Sequence, residues 1–135
     1  MRYLIDSNVL IDVTSKAYVD EDIWNILFDL ENIIYVSDLS VMEFIQWLQS
    51  DKVVTNKKIN VLDVFNFIEE DLGFQVKYIA KEHLITMSKL PKRHNDPIDR
   101  LIISIAKTEK LPLISSDTHF PLYVQDGLEF IKNRK

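Results

Sequence analysis

Apolar positions along the chain recur with two alternating spacings, and that alternation predicts the architecture. Arg2-Tyr3-Leu4-Ile5 is a short apolar run ending at Asp6-Ser7-Asn8, residue types that favour a turn or a helix start, so a buried strand ends at Asp6. From Glu21 to Leu30 the stripe Ile23, Trp24, Leu27, Leu30 has helical spacing, and the β-branched and aromatic Ile33-Ile34-Tyr35-Val36 follows as a strand. Ser37 to Ser40 leads into Val41, Phe44, Ile45 and Leu48, a second helical stripe. Leu62, Phe65, Ile68 and Leu72 make a third, which Gly73 stops. These two helices are expected to form a hairpin around the polar link 51–58.

Phe74 to Ile79 alternates loosely and predicts a short edge strand. Ile98 to Thr108 is apolar almost all round, the mark of a helix buried on several sides. Leu111 to Ser115 reads as a strand beyond it, and Leu128 to Ile131 as a last short one. Strands alternating with helices predict an α/β fold, a three-layer α/β/α sandwich with a mostly parallel central sheet. Ligands gather at the strand C-terminal ends of such sheets. Asp6 and Asp117 each end a predicted strand, and Glu43 and Asp99 lie in the first turns of predicted helices that start near the same rim.

Carboxylates repel one another, and a fold collects them mainly where a divalent cation is to sit among them. Each acid also has a plain structural role open to it. Asp6 can cap a helix. Glu43 can complete a capping box with Ser40, unless the helix starts nearer Asp38 and leaves the carboxylate free. Asp96 reads mainly as the N-cap before Pro97. Asp99, at the mouth of an apolar helix, needs a compensating charge, from Arg100 or from a metal. Asp117 fits a Ser/Asp turn. Four unrelated caps falling at one rim is the harder explanation, so Asp6, Glu43, Asp99 and Asp117 form the candidate metal-binding and catalytic set.

His83, His94 and His119 come from different segments without the close spacing of a zinc pair. They read as surface or supporting residues, with His94 and His119 flanking the acids where they could touch substrate phosphate or shift a carboxylate pKa. Trp24 and Trp47 lie on or beside apolar stripes and read as core or interface anchors.

Composition bounds the setting. With 135 residues, 47% of them apolar, the chain reads as a single domain spanning 1–135. A net charge of −5 lacks the basic excess of a stand-alone nucleic-acid binder, so a nucleic-acid substrate would need metal and local basic residues to offset its phosphates. The absence of cysteine excludes a disulfide framework and a thiolate zinc site. No signal segment and no apolar run of about 20 residues is seen, so a soluble, intracellular, cytoplasmic chain without membrane contact is expected.

The acids lie in segments that resemble a PIN domain, and more narrowly the VapC-type toxins of toxin–antitoxin pairs. YLIDSNVLI resembles the family's first strand and its Asp, VSDLSVMEF the segment ending in the helix glutamate, and HNDPIDRLIISIA with LPLISSDTHF the third and fourth blocks. The resemblance runs from Met1 to about Tyr123, and the HxDPxDR stretch is its most specific part. It implies an α/β/α sandwich, Mg²⁺ or Mn²⁺ held by Asp6, Glu43, Asp99 and Asp117, and cleavage of single-stranded RNA. Asp6 and Asp99 would then contact metal directly, Asp117 directly or through water, and Glu43 would orient the attacking water.

Ser7, Asn8 and Ser115 are expected as supporting or substrate-orienting neighbours, and Ser7 stands where threonine is frequent in the family. A small cognate antitoxin is the implied partner, with an exposed Trp47 as one anchor for it, and homodimerisation stays open. Rival readings are a nuclease of the same fold acting on DNA or structured nucleic acid, and a non-catalytic protein-binding module. A haloacid-dehalogenase-like phosphatase would need an Asp where the chain has Asn8.

Overall fold

The computed structural model describes residues 1–50 and 59–134, so the expected hairpin link at 51–58 lies outside the described residues. Five strands, β1 (Arg2–Ile5), β2 (Ile33–Ser37), β3 (Gln75–Lys77), β4 (Leu113–Ser115) and β5 (Phe130–Lys132), form one sheet in the order β3-β2-β1-β4-β5. Every pairing is parallel. The helices are α1 (Ser7–Ser15), α2 (Glu21–Phe28), α3 (Asp38–Leu48), α4 (Val61–Asn66, continued by a π turn, Phe67–Asp71), α5 (Lys81–Lys89) and α6 (Pro97–Glu109). A 3₁₀ segment, Phe120–Asp126, precedes β5.

Period-two alternation along the strands divides the apolar side chains between two cores. Tyr3, Ile5, Ile34, Val36 and Ile114 join a core with the buried faces of α1, α2 and α3 and with Val64 and Ile68. Leu4 and Leu113, pointing the other way, join one with Ile102, Ile103, Ile105 and Ala106 of α6 and with Phe120 and Tyr123. A parallel sheet with a core on each face is the expected three-layer arrangement.

The edge strand expected over Phe74–Ile79 is confined to Gln75–Lys77, at the sheet edge. Gly73 terminates the π turn with a φ of 73°, a left-handed value that favours glycine. The last strand starts at Phe130 rather than Leu128. Gly127 turns the chain at φ 96° and the Leu128 N–H closes onto the Tyr123 carbonyl at 3.2 Å, so Leu128 ends the 3₁₀ segment and packs in the second core.

Helix α5 had no counterpart in the hydrophobic pattern, because its buried residue is His83 rather than an apolar stripe. It is tied to α6 by polar contacts instead. His83 Nε2 meets Glu109 Oε2 at 3.1 Å, and Thr86 and Thr108 hydroxyls lie 2.6 Å apart. Trp47 is half-buried, stacked on Phe44 and packed against the first core, which corrects its expected exposure. Trp24, on α2, is the exposed tryptophan, its ring 4.6 Å from that of Phe28. Among the described residues no helix is long and apolar enough to cross a membrane.

Candidate metal centre

The chain builds the sheet outward from β1 to β2 and β3, then crosses back to lay β4 on the other side of β1. Connections leaving the C-terminal ends of β1 and β4 therefore diverge, and a crevice opens between them. Asp6 follows β1 directly, and Ser115-Ser116-Asp117 leads out of β4.

Asp6 occupies the N-cap position of α1, yet its side chain makes no capping bond. Its Oδ2 accepts from Asn8 Nδ2 and from the Ser115 hydroxyl, each at 3.1 Å. Its Oδ1 is buried with no hydrogen-bond partner among the described residues. Burial lifts the Asp6 pKa from 3.8 to about 7, with Glu43 and Asp99 adding repulsion and donors from Ser7 and Ser115 offsetting part of it.

Helix α3 starts at Asp38 with Ser37 as its cap, the Ser37 hydroxyl accepting from Leu39 N at 3.1 Å. The Ser40–Glu43 capping box is therefore not formed. Glu43 sits one turn in, where its Oε1 accepts from the Ser7 hydroxyl at 3.1 Å. Its pKa is raised by burial, partly offset by that hydroxyl, and raised further by Asp96 and Asp117.

Asp96 caps α6 as expected, its Oδ1 accepting from Ile98 N at 2.9 Å and Asp99 N at 3.3 Å. Asp99 is lifted to about 6, first by burial and then by Asp96, while a bond with His94 opposes the shift and Asp117 adds to it. The expected compensation from Arg100 is corrected. Arg100 Nη2 donates to the Leu90 carbonyl at 3.3 Å, because consecutive helical residues face different directions. His94 Nε2 meets Asp99 Oδ2 instead, at 3.0 Å.

Asp117 is held in the turn expected for it. Its N–H donates to Ser115 Oγ at 3.0 Å, and its Oδ1 accepts from His119 N at 2.6 Å and lies 3.2 Å from His119 Nδ1. Electrostatic coupling links all four expected acids, with Asp96 as a fifth. The three histidines do not gather, but ligand atoms of His94, Asp96 and Asp99 all lie within 4.8 Å of one another. Sequence spacing had left His94 outside the metal set; the signal for it was its place in His94-Asn95-Asp96, just before the α6 cap.

The PIN domain family model matches residues 3–124. The chain belongs to the PIN domain family. Among solved structures, VapBC2 from Rickettsia felis, bound to a DNA fragment from its promoter, superposes with a TM-score of 0.75 at 17% identity, covering 99% of this chain and 100% of that one. VapBC-1 from nontypeable Haemophilus influenzae gives 0.69 at 18% identity, covering 98% of each chain. FitAcB from Neisseria gonorrhoeae gives 0.66 at 16%, covering 97% of this chain and 96% of that one. At such identities the likeness is one of fold. Among curated proteins no match is found.

In this PIN domain the donor chemistry fits a hard divalent cation. Burial and neighbouring acids raise the proton affinity of Asp6, Glu43 and Asp99, and one buried carboxylate oxygen has no hydrogen-bond partner among the described residues. Asn8 keeps that oxygen turned free: its Nδ2 reaches both Asp6 Oδ2 and Ser115 Oγ, and its Oδ1 accepts from Ser116 N at 3.2 Å. Asn8→Ala removes all three bonds, two of which tie α1 to the end of β4. Chemical denaturation of the metal-free protein is expected to show a loss of about 2 kcal/mol, and an unchanged midpoint would contradict this account.

Proposed function

We propose that this PIN domain is a divalent-metal-dependent endoribonuclease that cleaves single-stranded RNA, acting as the toxin of a VapC-like toxin–antitoxin pair. The observation that carries the reading is the buried Asp6 Oδ1, without a hydrogen-bond partner among the described residues, beside Glu43 and Asp99, which are in turn coupled to Asp96 and Asp117, at the crevice between β1 and β4. Asp6, Asp99 and Asp117 would hold Mg²⁺ or Mn²⁺, with Glu43 beside them. When bound, the ion supplies charge compensation for a phosphodiester and a water acidic enough to serve as nucleophile near neutral pH.

The chain's own residues supply the arrangement. Asn8 and Ser115 hold one oxygen of Asp6. Ser7 holds Glu43 by Oε1, so that Glu43 can orient the attacking water and take its proton, a role suited to a carboxylate whose proton affinity is raised. The partner part of the reading draws on relatives of the same fold, one crystallised as VapBC2 on promoter DNA and another described as a toxin–antitoxin complex from Klebsiella pneumoniae.

Matched single-stranded RNA, single-stranded DNA and duplex oligonucleotides, incubated with Mg²⁺, Mn²⁺ or a chelator, test the proposal. Cleavage of the single-stranded RNA alone, lost with chelator, is expected. Cleavage confined to DNA or duplex would replace the substrate, and no cleavage of any substrate with either ion would overturn the enzyme reading.

A further inference from the structure

Two imidazoles bracket the acid cluster, and each is bonded to a different carboxylate. His94 Nε2 lies 3.0 Å from Asp99 Oδ2 on α6, and His119 Nδ1 lies 3.2 Å from Asp117 Oδ1 beyond β4. The two rings stack on each other, centroids 4.2 Å apart and 13° from parallel. Two acids delivered by separate elements are thus joined through a ring pair, one ring from the loop before α6 and the other from the turn that carries Asp117.

The His94 ring is not needed to hold its own loop. The backbone N–H groups of Arg93 and His94 both donate to the hydroxyl of Tyr123, each at 3.0 Å, and Tyr123 is fully buried. Arg93 adds a two-pronged bond to Asp126, at 2.7 and 3.1 Å. With the backbone fixed this way, the ring is delivered to Asp99 by a rigid support and remains available to the site.

A carboxylate that receives a donor on one oxygen has its plane fixed and its other oxygen available, the relation by which outer residues orient metal ligands. We propose that the stacked His94–His119 pair positions Asp99 and Asp117 for the divalent ion, His94 acting as a positioning residue that holds Asp99 by Oδ2. This rests on the metal-centre reading above and goes beyond it by assigning the pair. His119, the more exposed ring, locks the stack and steadies Asp117, so its removal has the smaller effect.

The test is Mn²⁺ binding to the metal-free full chain, read from free Mn²⁺ by electron paramagnetic resonance and from the thermal midpoint against Mn²⁺ concentration. His94→Phe keeps a ring for the stack but removes the donor, and it is expected to weaken Mn²⁺ binding by about 10–100-fold with little change in metal-free midpoint. His94→Gln, which restores an N–H donor, is expected to recover most of that loss. His94→Phe binding as tightly as the parent would overturn the proposal. So would His94→Gln binding no better than His94→Phe, or a pulsed-resonance nitrogen coupling showing the His94 ring bonded to Mn²⁺. A parent protein that binds no Mn²⁺ removes the metal reading itself, whereas a parent that binds and an unaffected His94→Phe remove this inference alone.

Discussion

Asp6→Asn is expected to abolish metal-dependent cleavage and, in the absence of metal, to make the protein more stable. The substitution is nearly isosteric. One amide oxygen can still accept from Asn8 and Ser115, and the amide nitrogen takes the place of the buried oxygen that has no partner. It also removes a carboxylate that burial and the neighbouring Glu43 and Asp99 hold up at about 7. Above that pH the parent carries a buried charge at a cost on the order of a few kcal/mol. Without metal at pH 8, the midpoint should rise by about 5 °C or more, while Mn²⁺ should stabilise the variant far less than the parent. A variant that still cleaves, or one less stable than the parent in chelator, would remove Asp6 from the centre of the site.

Metal-free stability should fall as pH rises from about 5 to about 8, and Mn²⁺ should reverse the trend. Asp6 at about 7 and Asp99 at about 6 keep in the folded state protons that the unfolded chain releases nearer 4. Between those values the native state binds more protons than the unfolded one, so raising the pH favours unfolding. Below about pH 4 both states are protonated and this contribution levels off. Glu109 and Asp126, whose partners His83 and Arg93 hold them below the usual carboxylate range, lose stabilisation only in acid and do not act in this window. Mn²⁺ competes with the protons, so its stabilisation grows with pH. Midpoints from pH 5 to 8 in chelator and in Mn²⁺ supply the measurement. The parent-minus-Asp6→Asn difference isolates the site, and a difference flat across the window would show that Asp6 titrates normally.

Much of this architecture could be read along the chain because it is written in local periodicity. Strands alternating with helices implied a parallel sheet with helices on each side, and Tyr3, Leu4 and Ile5 do alternate between two cores. The α6 start was legible for a similar reason: Asp96 before Pro97 is a cap whose bonds reach only two and three residues ahead. Helix α5 was not legible, since a polar segment docked through His83 and Thr86 shows no stripe. For Glu43 the pattern allowed both a cap and a free carboxylate, because a start at Asp38 or at Ser40 differs by half a turn. The partner of Arg100 was assigned by proximity in sequence, and helix geometry sent Arg100 to Leu90 and left Asp99 to His94.

Local side-chain order was thus enough to specify the strands and most helices, because strand alternation, helical stripes and caps act over a few residues. It was also enough to place the acids at strand ends and helix starts along one rim. Which oxygens are satisfied and which are bare depends on contacts such as Asn8 to Ser115 and Ser7 to Glu43, between residues 107 and 36 positions apart. Those contacts exist only once β2 and β4 have been laid on either side of β1, since burial and repulsion are properties of the assembled crevice and not of any one segment.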